Sequence, residues 1–178
     1  GDNRYGQLGM SDWLDVDVGQ NCAVAIRNDG TLWTWGYNQY GKLGTGDTVN
    51  RSSAVQLGTD NTWQKVAAGS FHTLALRGDN TLWSFGQNNS GQLGDNSNVP
   101  KSSPVQVLTA GKSIVSIFAR ALQSAFITSD AQLFVWGDNT GGVLGQNTPA
   151  AINYSSPVQI PGSWSTIAFG QYHVAGIK

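Results

Sequence analysis

The chain spells one short phrase, G-x-N-x-x-G-x-L-G, at Gly1–Gly9, Gly36–Gly44, Gly86–Gly94 and Gly137–Gly145. A period near 50 residues restricts the fold to architectures in which each unit buries its apolar face on a neighbour. Other segments keep the same register. Leu32-Trp33-Thr34-Trp35, Leu82-Trp83-Ser84-Phe85 and Leu133-Phe134-Val135-Trp136 each run directly into a motif glycine. Ser52–Gln56, Ser102–Gln106 and Ser155–Gln159 follow the later copies. After Gly9 the chain reaches Trp13 without such a segment, so one blade edge is expected to be abbreviated.

Within each unit the apolar spacing is two. Cys22-Val24-Ile26, Leu74-Leu76 and Trp83-Phe85 each place side chains on one face of an extended strand. Asn28-Asp29-Gly30 and Gly78-Asp79-Asn80 stand between such runs as hairpin turns. Trp13, Trp63 and Trp164 each open a further short run, and the Val-Gln segments supply another. Charged residues make up 12%, and every one of the 11 acidic residues is aspartate, so helix formers are thin while turn formers abound. The expectation is an all-β chain of propeller blades, each of about four antiparallel strands. It holds about 3.5 repeats, near 1–35, 36–85, 86–136 and 137–178.

The recurring residues read as structural, because a catalytic group is needed once and not once per blade. Gly36, Gly41, Gly44, Gly86, Gly91, Gly94, Gly137, Gly142 and Gly145 are expected where the chain passes between blades and backbones approach closely. Asn38, Asn88 and Asn139 hold a fixed place beside them. Leu8, Leu43, Leu93 and Leu144 would plug the space between sheets.

At these residues the sequence resembles the regulator of chromosome condensation repeat family, in the manner of its bacterial and bacteriophage members. The resemblance rests on the motif, on the aromatic strand ending in Trp-Gly, and on Ala68-Gly69-Ser70-Phe71-His72-Thr73-Leu74-Ala75-Leu76. Phe169-Gly170-Gln171-Tyr172-His173 echoes the last stretch. In the third repeat Arg120 stands at the glycine position and Gln123 at the histidine position, so that blade is expected to be distorted or specialised. Kelch repeats share the period, but their paired glycines would recur, and here Gly141-Gly142 occurs once. The resemblance implies a ring of which this chain supplies about half. Gly1 is itself a motif glycine and Ile177 aligns with Leu76, so the chain reads as a segment of a longer propeller. The alternative is a half ring closed by a second copy.

The net charge of −1 is spread without a basic stripe, which argues against nucleic acid as a partner. No apolar run approaches the roughly 20 residues that span a bilayer, so no membrane insertion is expected, and no targeting segment is visible. The single Cys22 forms no internal disulfide. His72 and His173 fall at equivalent positions and read as hydrogen-bonding between strands, not as metal ligands. Asp15 and Asp17 look like the wet face of a strand, since a calcium loop needs a closing glutamate and the chain has none. Gly111-Lys112-Ser113 lacks the leading glycine of a phosphate loop, as Gln106 stands there. The serine pairs read as turns leading into strands, and the sequons at Asn50, Asn88 and Asn153 carry little weight.

No enzymatic activity and no cofactor are expected. The leading reading is a binding or structural scaffold that meets a protein or glycan through its variable loops, 45–51, 95–101 and 146–154, with Arg51, Lys101 and Tyr154 as anchors. The composition favours an extracellular or virion-surface setting. The resemblance also implies two alternatives, guanine-nucleotide exchange on a small GTPase and inhibition of an enzyme. A carbohydrate-cleaving enzyme would show two pocket carboxylates about 5 to 10 Å apart.

Overall fold

The alternating runs become strands, and each set of four closes into one antiparallel sheet in chain order. The structure, a computed structural model, describes residues 12–147, 152–170 and 173–178. The first sheet holds β1 (Trp13–Gly19), β2 (Cys22–Arg27), β3 (Leu32–Gly36) and β4 (Arg51–Gln56). The second holds β5 (Trp63–Ala68), β6 (His72–Arg77), β7 (Leu82–Gly86) and β8 (Lys101–Gln106). The third holds β9 (Ile114–Arg120), β10 (Gln123–Thr128), β11 (Leu133–Gly137) and β12 (Tyr154–Ile160). A fourth pairs β13 (Thr166–Phe169) with β14 (Val174–Ile177).

The β2–β3 and β6–β7 turns form because an aspartate caps each one. Asp29 accepts from the Thr31 amide and hydroxyl at 3.0 and 2.6 Å, and Asp79 does the same for Thr81 at 2.9 and 2.6 Å. These bonds favour the ionised form and hold both carboxyls below their usual range. Each threonine hydroxyl then accepts from the next tryptophan, Trp33 or Trp83. The guanidinium of Arg77 lies between the Trp63 and Trp83 rings at 4.5 and 4.4 Å, and Arg27 lies against Trp13 and Trp33.

The sheets are out of phase with the sequence phrase. The motif does not carry the chain between blades, which corrects the sequence reading; it joins the third strand of a sheet to the fourth strand of the same sheet. The passage to the next blade falls at 57–62 and 107–113. The segment missing after Gly9 therefore corresponds to a fourth strand preceding β1, and the sheet β1–β4 is complete. The first motif copy, with Leu8, lies outside the described residues. The serine pairs are also corrected, for they lie inside β4, β8 and β12.

The motif still ties blades together. Gly36 has φ +105°, and a Cβ there would stand 2.5 Å from the Asn21 carbonyl oxygen. A Cβ on Gly41 would stand 2.4 Å from Ser102 Cα, and one on Gly91 2.5 Å from Ser155 Cα, each on the next blade's fourth strand. Just beyond, the Gly46 amide donates to the Ser102 carbonyl at 2.7 Å and the Asn96 amide to that of Ser155 at 2.8 Å. Lys42, itself buried, donates to the carbonyls of Gln20 and Ser70 on adjacent blades. Leu43, Leu93 and Leu144 are buried.

Apolar layers lie between successive sheets. Val24, Ile26, Leu32 and Leu57 of the first meet Trp63, Val66, Ala68 and Phe85 of the second. Leu74, Leu76, Leu82 and Val107 meet Ile114, Phe126 and Trp136 of the third. Ala125, Ile127, Leu133 and Val135 meet Ile167. The second strands are buried on both faces, as befits the middle of a stack.

The wet-face reading of Asp15 and Asp17 is corrected. Their carboxylates reach the next blade and accept from the Val66 and Ala68 amides at 2.9 and 2.8 Å. Those amides face away from β6 and would otherwise lack a partner. The exposed members of β1 are instead Leu14, Val16 and Val18. Register makes Val16 and Val18 the counterparts of Val66 and Ala68, which are buried against the first sheet.

Candidate interaction surface

Strand pairing gathers three kinds of loop at one end of each of the three four-stranded sheets among the described residues. Gly36 pairs with Cys22 and Arg51, Gly86 with His72 and Lys101, and Gly137 with Gln123 and Tyr154. The β1–β2 type turn, the motif and the variable loop before the fourth strand are therefore neighbours.

The motif asparagine fixes the variable loop. Asn88 is fully buried; its Oδ1 accepts from the Leu93 amide at 2.9 Å, and its Nδ2 donates to Asp95 Oδ1 and the Ser97 carbonyl, both at 3.0 Å. Asn38 repeats this with the Leu43 amide and the Asp47 carbonyl, and Asn139 accepts from Leu144. Two sequon asparagines serve the same hub. Asn50 Oδ1 accepts from the Asn38 amide at 2.8 Å and Asn153 Oδ1 from the Asn139 amide at 2.9 Å. Replacing Asn88 by alanine is expected to cost about 2 kcal/mol, because the buried Leu93 amide loses its acceptor. Amides of 95–99 should then exchange faster than in the parent by mass-detected hydrogen exchange, and unchanged exchange would contradict the hub.

Arg51, Lys101 and Tyr154 open the fourth strands and so occupy one equivalent place on successive blades. Arg51 is pinned to its own loop, Nη2 to Asp47 at 2.6 Å and Nη1 to the Val49 carbonyl at 2.8 Å. The Val49 amide and Arg51 together hold the Asp47 carboxyl below its usual range. Lys101 Nζ lies 4.0 Å from Asp95, and Tyr154 is half-buried against the core. The sequence reading missed what stands two residues before each of them: Val49, Val99 and Ile152, which are 60%, 59% and 49% exposed. Their common offset from the fourth strand is the signal that could have found them.

His72 is completely buried, and its Nε2 lies 2.8 Å from Ser124 Oγ on the next blade. Burial drives the His72 imidazole down to about 4, and the Ala121 backbone offsets only part of that. The third blade is not distorted, which corrects that alternative: β10 pairs with both neighbours without a break from Gln123 to Ile127, and its shift between Ile127 and Thr128 toward β9 has counterparts in the first two sheets. Its departures are linked. A Cβ on Gly69 would stand 2.4 Å from His72 Cε1, and one on Gly170 2.2 Å from His173 Cε1. With Gln123 in place of the imidazole, the glycine position can carry a side chain, and Arg120 is exposed there. It lines a polar pocket of about 260 Å³ with Gln20 and Ser70. Among the described residues, no three histidine, cysteine or aspartate side chains converge on a metal position.

Four-stranded antiparallel sheets stacked face on face, with equivalent loops at one end, define a partial β-propeller. The chain belongs to the regulator of chromosome condensation (RCC1) repeat family, whose model matches residues 29–76, 79–125 and 130–177; a second RCC1 repeat model matches 13–42 and 63–92. The first match begins in one sheet and ends in the next, so each sequence repeat staples two blades. Among solved structures, human WBSCR16 is similar with a TM-score of 0.83 at 21% identity over 93% of this chain and 44% of that one. Prp20p of Saccharomyces cerevisiae is similar at 0.72 and 20% identity, over 83% of this chain and 38% of that one. Yeast RCC1 (Prp20) bound to Kap60 is similar at 0.74 and 22%, over 83% and 36%. The chain thus spans less than half the length of these structures. No curated protein matches it.

Proposed function

We propose that the chain is a non-catalytic propeller scaffold that binds a partner protein through its loop end. The observation that carries this reading is the set of exposed aliphatic tips on successive blades, Val49, Val99 and Ile152, the first two on loops held by the buried Asn38 and Asn88. Loops fixed before binding lose little entropy on contact, and water-exposed aliphatic groups gain by being covered. Arg51, Lys101 and Tyr154 stand beside the tips and supply polar edges to the contact. Protein partners are also described for the yeast structures, Gsp1p and histones for Prp20p and Kap60 for yeast RCC1, which supports a protein over a glycan here. The exposed face of β1 is the seat of a further blade, supplied by the same polypeptide or by a second copy, and native mass spectrometry separates the two.

The test is a triple variant, Val49→Asp, Val99→Asp and Ile152→Asp, immobilised beside the parent chain. Stability should stay within about 0.5 kcal/mol per site, since the tips are exposed. A protein retained by the parent and lost by the variant is the expected result. Equal retention by both, or none by either, would overturn the reading.

A further inference from the structure

The fourth strand is an edge strand of each four-stranded sheet, and beyond their first residue the three that are described differ at one position, the fourth. β8 carries Pro104 and β12 carries Pro157 where β4 carries Ala54. That position faces outward. The Leu57 amide donates to the Leu32 carbonyl at 2.7 Å, and the ladder pairs Val55 with Thr34. Antiparallel alternation then turns the amides and carbonyls of Ala54 and Gln56 away from β3. Proline at the outward position removes a donor and blocks strand addition, a usual protection of sheet edges. β8 and β12 have that protection, and β4 lacks it.

A groove of about 660 Å³ runs beside this strand, from Arg51 at one end to Asp60 and Arg77 at the other, with Val55, Trp63 and Pro104 in its walls. Two further departures from the repeat hold it open. Between the second and third blades the Leu108 amide donates to the Gly94 carbonyl at 3.1 Å; between the first and second the counterpart of Leu108 is Gly58, where an added Cβ would meet nothing within 4 Å. Gly46 likewise stands where the later copy has Asn96, so no side chain fills the mouth.

We propose that β4 is a docking edge, to which an extended segment of a partner protein adds as a fifth strand with alternate apolar side chains in the groove between the first two blades. An edge with free donors and acceptors at every second residue is complementary to another strand, and the pockets beside it select side chains. Val55, Leu57, Trp63 and Pro104 call for apolar groups on the inward positions. Arg51 and Arg77 are each already paired, with Asp47 at 2.6 Å and Asp60 at 2.8 Å, so the site calls for no charge on the segment. This goes beyond the loop-tip contact and rests on the reading of the chain as a protein-binding scaffold.

The probe is a capped synthetic octapeptide alternating threonine and valine, titrated into the isotope-labelled chain and followed by amide resonances. The expected result is saturable binding with the largest shifts and slowed exchange at the Ala54 and Gln56 amides. Ala54→Pro should fold, because Pro104 and Pro157 already occupy that position in sister blades, and should weaken binding by about tenfold or more. Gly46→Asn, which copies Asn96 and keeps a residue type tolerant of the φ of +83°, should also weaken it. The triple loop-tip variant should bind the peptide unchanged, which separates failure here from failure of the loop reading. No saturable binding, shifts confined to the loop tips, or full affinity in both Ala54→Pro and Gly46→Asn would overturn the proposal.

Discussion

Acidifying the protein from neutral pH to about 4 is expected to remove roughly 3 kcal/mol of stability through His72 alone. In the folded chain its imidazole is buried against Ser124 and titrates at about 4, against 6.5 for an ordinary histidine. The folded pKa is depressed, so between these values the unfolded chain binds a proton that the folded chain does not. Stability is therefore complete above about 6.5 and is lost progressively as pH falls toward 4. The carboxyls of Asp29, Asp47, Asp60 and Asp79 are held below 3.8 and so act in a more acidic window. Urea midpoints measured across this range should fall steeply for the parent. They should flatten in His72→Gln, a residue that the third blade accommodates at the same position as Gln123. A parent curve with no slope above pH 4.5 would mean that His72 is not buried neutral.

What the sequence could show was set by how local each feature is. The strands were legible because alternation such as Cys22-Val24-Ile26 is read within a few residues, and the turns because Asp29 and Asp79 cap their own neighbours. The phase of the blades was not legible. The phrase beginning at Gly36 follows β3 so closely that it looks like a boundary, whereas the boundary at 57–62 carries no phrase of its own. Asp15 and Asp17 misled for a physical reason. Alternation distinguishes two faces but not which one meets the next blade, and there the aspartates serve amides 51 residues away. The interaction surface was half legible. The variable loops were visible as departures between repeats, but Arg51, Lys101 and Tyr154 drew attention while the exposed aliphatic residues two positions before them were not singled out. Only burial in three dimensions sorts Val49 from Val55. The edge at β4 was written in the sequence as Ala54 against Pro104 and Pro157, yet its meaning depends on which strand is outermost.

The exchange of Gly69 and His72 for Arg120 and Gln123 yields the second large effect. Gly69→Ala is expected to destabilise the chain by about 3 kcal/mol, the upper end of what an overpacked site costs. The new methyl would lie 2.4 Å from His72 Cε1 and 2.5 Å from Nδ1, on a ring with no free space to leave. In Gly69→Ala with His72→Gln the imidazole is gone, and the pair should cost less than the sum of its members by about 1 to 2 kcal/mol. The remaining shortfall comes from the Ala121 carbonyl oxygen, 3.2 Å from the same methyl, which no change at His72 relieves. In the third blade the reasoning runs in reverse. Gln123→His alone should be severe because the Arg120 Cβ stands where a Cβ on Gly69 would meet the imidazole, and Arg120→Gly should rescue it. Chemical denaturation of the four variants in each blade measures both couplings. If the effects simply add, the two departures are independent, and Arg120 owes its place to the charge it presents at the pocket with Gln20 and Ser70, not to room left by a missing ring.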